Sequence, residues 1–189
     1  MEPVVAVLDA CVLYPAPLRD LLIQASVHGL FQAKWSQTIQ DEWLINLLST
    51  RPDLDKDRLR RTQELMNEAV PNSLVVDFEL LIPTLTLPDE NDRHVLAAAI
   101  TAEAQWIVTF NLKDFPANAI SGHHVQAIQP DHFLQYLFEL DAELVCVSAK
   151  DCRARLQHPP KTVDEYLHIL QNQGLKQAVE NLRKYADQI

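Results

Sequence analysis

Asp9, Glu42, Asp92 and Asp114, together with Asn111, are the side chains that could hold a hard divalent cation if folding gathered them. Crowded carboxylates repel one another, and a fold tolerates the crowding when Mg²⁺ or Mn²⁺ neutralises it. Such a cluster, with one or two ions, can activate water and stabilise the leaving oxygen of an in-line phosphodiester displacement. Metal-assisted phosphodiester hydrolysis is therefore the natural reaction class. Thr109 belongs to the same stretch as Asn111 and could orient a carboxylate or a phosphate. Each residue also has an ordinary alternative. Asp9 could be a turn or cap residue and Asp92 a helix cap that complements the dipole. Glu42 could be a solvated helix residue, Asp114 a turn residue, Asn111 a loop hydrogen-bonder and Thr109 a plain strand residue.

Elements that could position these groups can be read from the periodicities. Val4-Val5-Ala6-Val7-Leu8 is a β-branched apolar run of the kind buried on both faces of a parallel sheet, and it ends directly on Asp9. Pro15 and Pro17 precede a helical face of Leu18, Leu21, Leu22 and Ala25, with Gly29 as the stop. Ser36 can cap a helix whose apolar face is Ile39, Trp43, Leu44, Leu47 and Leu48, which puts Glu42 at the edge of that face. A third helix, about 54–69, turns Leu59, Met66 and Ala69 inward and Lys56, Arg58, Arg60 and Arg61 outward. Leu74-Val75-Val76 reads as a strand, and a loop with Pro83 and Pro88 follows. Asp92 then opens an alanine-rich helix from His94 to about Ala104, with Asp89 a competing cap. Trp106–Thr109 and Val125–Ile128 read as strands, and Pro130-Asp131 starts a helix through Phe138. Alternation of strand and helix, with 3 Gly and no hairpin dipeptides, favours a parallel α/β sheet. In such a sheet ligands bind outside the carboxyl ends of the strands, where Asp9, Asp92 and Asn111/Asp114 fall.

The expected fold is a three-layer α/β/α domain over residues 1–140, with a parallel sheet of about four or five strands, followed by a helical extension over 141–189. In that extension Val163, Tyr166, Leu167 and Leu170 form one stripe and Leu175, Val179 and Leu182 another, for packing on the domain or for a dimer or partner surface. The net charge is −10, all of it within residues 1–140, since 141–189 carries seven basic and seven acidic residues. This argues against broad, sequence-blind attraction to phosphate backbones. The basic set Arg51, Lys56, Arg58, Arg60 and Arg61 is read as a solvated helix face, with Arg58 and Arg61 the candidates for contacting RNA. His94, His123 and His124 lack zinc partners and read as polar surface. Cys11, Cys146 and Cys152 show no metal-ligand spacing and read as reduced thiols, Cys11 as a buried thiol rather than a nucleophile. An opening without a basic leader, and with an apolar run that stops at Asp9, leads to an expectation of cytoplasmic location and no membrane span.

These residues resemble the PIN-domain nucleases, and more narrowly the VapC-type toxin ribonucleases, over roughly residues 4–140. The resemblance is carried by Val-Leu-Asp9-Ala-Cys-Val-Leu-Tyr-Pro, by Glu42 in Gln-Asp-Glu-Trp, by Asp92-Arg-His-Val-Leu-Ala-Ala-Ala, and by Ile-Val-Thr109-Phe-Asn111-Leu-Lys-Asp114-Phe-Pro. It implies that Asp9, Glu42 and Asp92 are the first three acidic ligands of Mg²⁺ or Mn²⁺, with Asn111 or Asp114 in the fourth position. It further implies an endoribonuclease acting on structured RNA, often transfer RNA, held inactive by a small antitoxin and commonly homodimeric. Cys11 departs from the pattern, which usually carries Asn, Ser or Thr there. Two other readings stay open: a catalytically silent PIN-like binding module, and another Mg²⁺-dependent phosphohydrolase on a similar sheet. A second Asp two residues after Asp9, which a haloacid-dehalogenase-type phosphatase would need, is missing.

Overall fold

The computed structural model describes residues 4–189; Met1 to Pro3, on which the leader reading partly rests, lie outside them. Five parallel strands run in the order β3-β2-β1-β4-β5: β1 (Val5–Leu8), β2 (Gln32–Ser36), β3 (Leu74–Val75), β4 (Trp106–Val108) and β5 (Gln126–Ile128). The chain moves outward from β1 to β3 and then crosses back to β4, so the strand order reverses between β1 and β4. That reversal leaves a crevice at the carboxyl ends of these two central strands.

Helices α1 (Ala10–Leu13), α2 (Ala16–Val27), α3 (Gln37–Thr50) and α4 (Lys56–Ala69) belong to the outward half, and α5 (Arg93–Thr101) to the return crossing. α2 and α3 pack on β2, whereas α5 packs on β1, β2 and β4. With right-handed crossovers the two sets fall on opposite faces, which gives the three layers. Leu18, Leu21, Leu22 and Ala25 of α2 are fully buried, as their spacing requires. Gly29 stops that helix at φ 82°: its N–H donates to Ser26 O and that of Leu30 to Ala25 O, a left-handed closure suited to glycine. Ser36 caps α3 by accepting from Ile39 N at 3.2 Å. Asp55 does the same for α4, accepting from Asp57 N and Arg58 N.

Several sequence expectations are adjusted. β2 was not foreseen, because Gln-Ala-Lys-Trp-Ser offers only Ala33 and Trp35 to the core. Val76 lies outside β3 and is exposed, and Ala69 points to solvent while Val70 takes the buried place. α5 stops at Thr101, three residues short of Ala104, where Glu103 adopts φ 51°. The loop after β3 contains a 3₁₀ turn at Glu79–Thr84, and the short helix α6 (Ala117–Ile120) precedes β5.

The last four helices, α7 (Pro130–Leu140), α8 (Ala142–Arg155), α9 (Val163–Gln171) and α10 (Lys176–Arg183), wrap back onto the sheet domain. α8 lies along α2, where Cys152 Sγ donates to Asp20 O and Asp151 meets His28 Nε2 at 2.9 Å. α10 docks its N-terminus on α7, with Gln177 N and Ala178 N donating to the Asp131 carboxylate at 3.0 and 2.9 Å. Both stripes of the extension are consumed in this packing: Tyr166, Leu167, Leu170, Leu175, Val179 and Leu182 are buried within the chain itself.

Removing residues 142–189 should therefore aggregate the remainder or change its oligomeric state. Val145, Leu167, Leu170, Leu175 and Leu182 are fully buried. At about 2 kcal/mol each, their burial is comparable to the whole stability of an ordinary domain. Light scattering and size-exclusion chromatography check this; a truncated chain that stays soluble, with unchanged oligomeric state and melting, contradicts it.

Candidate metal centre

Asp9 leaves β1 in extended conformation, and its backbone N–H still donates to Val108 O of β4. The residue is 5% exposed, so its carboxylate must be satisfied locally. Oδ1 accepts from Ala10 N at 2.6 Å, which caps α1; Oδ2 accepts from Thr109 Oγ1 at 2.7 Å and from Cys11 Sγ at 3.1 Å. Thr109 is fully buried, and its hydroxyl in turn accepts from Asn111 N at 2.9 Å. Sγ of Cys11 accepts from Phe110 N at 3.3 Å. The ends of β1 and β4 are thus laced together at the crevice, and Asp9 is held in one orientation. Asp9 thus caps α1, and Thr109 holds its carboxylate from the end of β4.

Asp92 stands at the first turn of α5 but makes no capping hydrogen bond. Asp89 takes that role one turn earlier, accepting from Asn91 N at 2.9 Å. Asp92 is left free, and its carboxyl is pushed up to about 6, first by burial and then by the negative charges of Asp9, Asp89 and Asp114. Asp9, Asp92 and Asp114 therefore share one negative field although they are far apart in the chain. Asp114 ends the 3₁₀ turn Leu112–Asp114 and is half-buried; Asn111, exposed at the start of that turn, gives its backbone N–H to Thr109.

Glu42 comes to this end of the sheet from the second turn of α3, between the buried Gln40 and Trp43. Its Oε1 lies 2.9 Å from His94 Nε2. His94, expected on the surface, is only 8% exposed, because its position on α5 shares the inward face with Ala97 and Ala98. That three-and-four spacing was the sequence signal for its burial, and the contact with Glu42 had none. His123 and His124 are exposed, as expected. Arg58 and Arg61 sit on α4, where Arg61 is engaged by Glu64 and Glu68, and neither contacts the four acids.

Burial, and then the charge of Asp9, push the Cys11 thiol up to about 12, so it stays protonated at neutral pH and is no nucleophile. It acts instead as a hydrogen-bond donor to Asp9. Among the described residues no three His, Cys, Asp or Glu side chains close into a finished metal cage. The chemistry of the donor set nevertheless fits a hard cation. It consists of carboxylate oxygens in an open arrangement, and the raised Asp92 carboxyl marks negative charge that a cation would relieve. No helix among the described residues is long and apolar enough to cross a membrane.

The chain is similar to known proteins over two stretches. The family described as "PIN domain" matches residues 5–113, which include Asp9, Glu42, Asp92 and Asn111. The family described as "VapC50 C-terminal domain" matches residues 130–184, which is α7 through α10. A curated protein of Mycobacterium tuberculosis, named "Putative ribonuclease VapC50", is 39% identical over 80 residues, or 41% of this chain and 47% of that protein. The aligned part thus spans about half the length of that relative. No solved structure matches the chain. With more than half of its length matched by the family pattern, and with the carboxylates at the β1–β4 crevice, the chain belongs to the PIN-domain family.

Proposed function

We propose that the chain is an endoribonuclease that hydrolyses RNA phosphodiester bonds with the help of Mg²⁺ or Mn²⁺, and that it is the toxin of a toxin–antitoxin pair. The observation that carries this reading is the match of residues 5–113 to the PIN-domain family, in a fold that puts Asp9, Asp92 and Asp114 in one negative field. Natural folds keep such a cluster where a cation neutralises it.

Asp9, Glu42, Asp92 and Asp114 would hold the ion, with Asn111 beside them. A divalent cation held there would supply activation of the attacking water and charge stabilisation at the leaving oxygen. The other steps fall to this chain. Thr109 and Cys11, donating to Oδ2, fix the rotamer of Asp9. Asp89, by taking the cap, leaves Asp92 free of local hydrogen bonds. Asn111, exposed at the rim, can offer its amide to a phosphate oxygen. Arg58 presents an exposed cation to the RNA backbone, and Arg61 could join after parting from Glu64 and Glu68. With a net charge of −10, binding depends on such local contacts rather than on the overall field.

In this reading residues 1–140 are the nuclease body and 141–189 a buttressing extension. A small antitoxin would cover the site, the active species would be a homodimer, and the compartment would be the cytoplasm. The name of the partly aligned relative, a ribonuclease, supports the activity.

The test is cleavage of RNA by the purified chain with Mg²⁺ or Mn²⁺, repeated in excess EDTA. Cleavage with metal and none in EDTA is expected. Equal cleavage in EDTA that is abolished by Cys11→Ser overturns the metal mechanism; metal binding without any cleavage would favour a silent binding module.

A further inference from the structure

His94 is a buried imidazole without a directed hydrogen bond. Nδ1 and Nε2 are both shielded from solvent, and neither has a hydrogen-bond partner among the described residues. Nε2 lies 2.9 Å from Glu42 Oε1, but off the alignment of an N–H···O bond. Burying a polar ring this way costs desolvation that the misaligned contact with Glu42 offsets only in part, and an apolar side chain would fill the same place without that cost. The two partners also differ in freedom. His94 sits at the head of α5, whose next five residues, Val95 to Ala99, are fully buried, whereas the Glu42 side chain is 38% exposed at the edge of α3. The rigid group is the imidazole and the adjustable one is the carboxylate. His94 also follows Asp92 by two residues, so it ties α3 to the helix start that carries the third acid.

We infer that His94 is the positioning residue for Glu42: its Nε2–H holds that carboxylate toward Asp92, and so sets the affinity of the cluster for its divalent cation. The inference rests on the metal-centre reading above. Nε2–H donates to Glu42 Oε1 once the carboxylate rotates into line, which satisfies that ring nitrogen and fixes the second acid on the same side of the crevice as the third. Partners that orient a metal-binding carboxylate in this way typically change metal affinity by roughly 10–100-fold when removed.

The experiment is calorimetric titration of Mn²⁺ into the full chain, alongside His94→Phe, His94→Gln, Glu42→Gln and the double variant His94→Phe/Glu42→Gln, with melting curves of each metal-free protein. His94→Phe should weaken Mn²⁺ binding roughly 10–100-fold while keeping a cooperative melt at or above that of the parent. His94→Gln, which restores an N–H donor, should recover part of the affinity. On the Glu42→Gln background, His94→Phe should add little further loss, because the imidazole acts through that carboxylate. If His94→Phe does not fold, His94→Asn, a polar side chain of shorter reach, replaces it and should lose affinity in the same direction. Mn²⁺ affinity that stays within about threefold of the parent in the folded variant, or losses that simply add in the double variant, overturns the role of His94 and leaves the metal centre standing. A parent chain that binds no Mn²⁺ overturns both.

Discussion

Asp9→Asn should lower RNA cleavage by about 10²–10³-fold or more, a loss of the size seen when one preorganised electrostatic group is removed from an active site, and should also destabilise the fold. The two effects share one cause. The Asp9 carboxylate accepts from Ala10 N, Thr109 Oγ1 and Cys11 Sγ, all donors, within a 5% exposed site. Asn supplies one acceptor oxygen and an NH₂ group, so either Ala10 N meets that NH₂ or the Thr109 hydroxyl and Cys11 thiol give up donating and accept from it. Hydrogen bonds to a charged group contribute about 1.5–3 kcal/mol each. A net loss of roughly 2 kcal/mol lowers Tm by about 4–8 °C for a chain of this size. Cleavage assays and melting curves check the pair of effects. Wild-type cleavage by a folded Asp9→Asn variant would remove Asp9 from the proposed chemistry, and an unchanged Tm would show that the three contacts contribute nothing.

That prediction can be built because the sequence placed Asp9 at the end of a buried strand, and the strand itself was legible: four consecutive apolar residues, two of them β-branched, admit few other readings. α5 was equally plain from its alanines, and so was the rule that puts its start beside Asp9 in a parallel sheet. β2 was not legible, because a five-residue strand with two core-facing side chains carries too little apolar signal, and its burial comes from α2, α3 and α5 packing over it. The acids could be picked as candidates but not as neighbours. The reach of Asp114 to Asp92, as against the backbone role of Asn111, depends on how a 3₁₀ turn folds after β4. His94 was misjudged for a related reason. Residue type suggested surface, while its register with Ala97 and Ala98 already required burial, and only the approach of α3 supplied its partner. Cys11 departs from the oxygen and amide side chains usual at its position, and in place it donates to Asp9 and accepts from Phe110 N.

Asp92→Asn should lower cleavage as steeply as Asp9→Asn does, yet move the stability of the metal-free protein the other way. Asp92 makes no capping hydrogen bond, so Asn removes no local contact, and Asn and Asp cap about equally well in any case. What the substitution removes is a carboxylate that burial and the charges of Asp9, Asp89 and Asp114 raise from 3.8 to about 6. A raised carboxyl means that the folded state binds the proton more tightly than the unfolded state. Its unfavourable contribution is absent below the unfolded value, grows as the pH rises through the window from 3.8 to about 6, and is fully present above it. At neutral pH and low salt, Asp92→Asn should therefore raise the metal-free Tm. Because the group is only half-buried and partly screened, about 1 kcal/mol is expected rather than the full value of the shift, roughly 2–4 °C. The parent should lose Tm relative to the variant as the pH is taken from 4 to 7, and added salt should narrow the gap. A divalent cation reverses the order: at about a hundred times its dissociation constant it stabilises the parent by roughly 2.7 kcal/mol, and the variant by less at the same concentration. Melting curves of both proteins across that pH range, in EDTA and in Mg²⁺, read all of these effects. A variant whose metal-free Tm falls or stays level, whose response to Mg²⁺ matches the parent's, and whose cleavage is intact would make Asp92 a helix-start residue with no part in the metal centre.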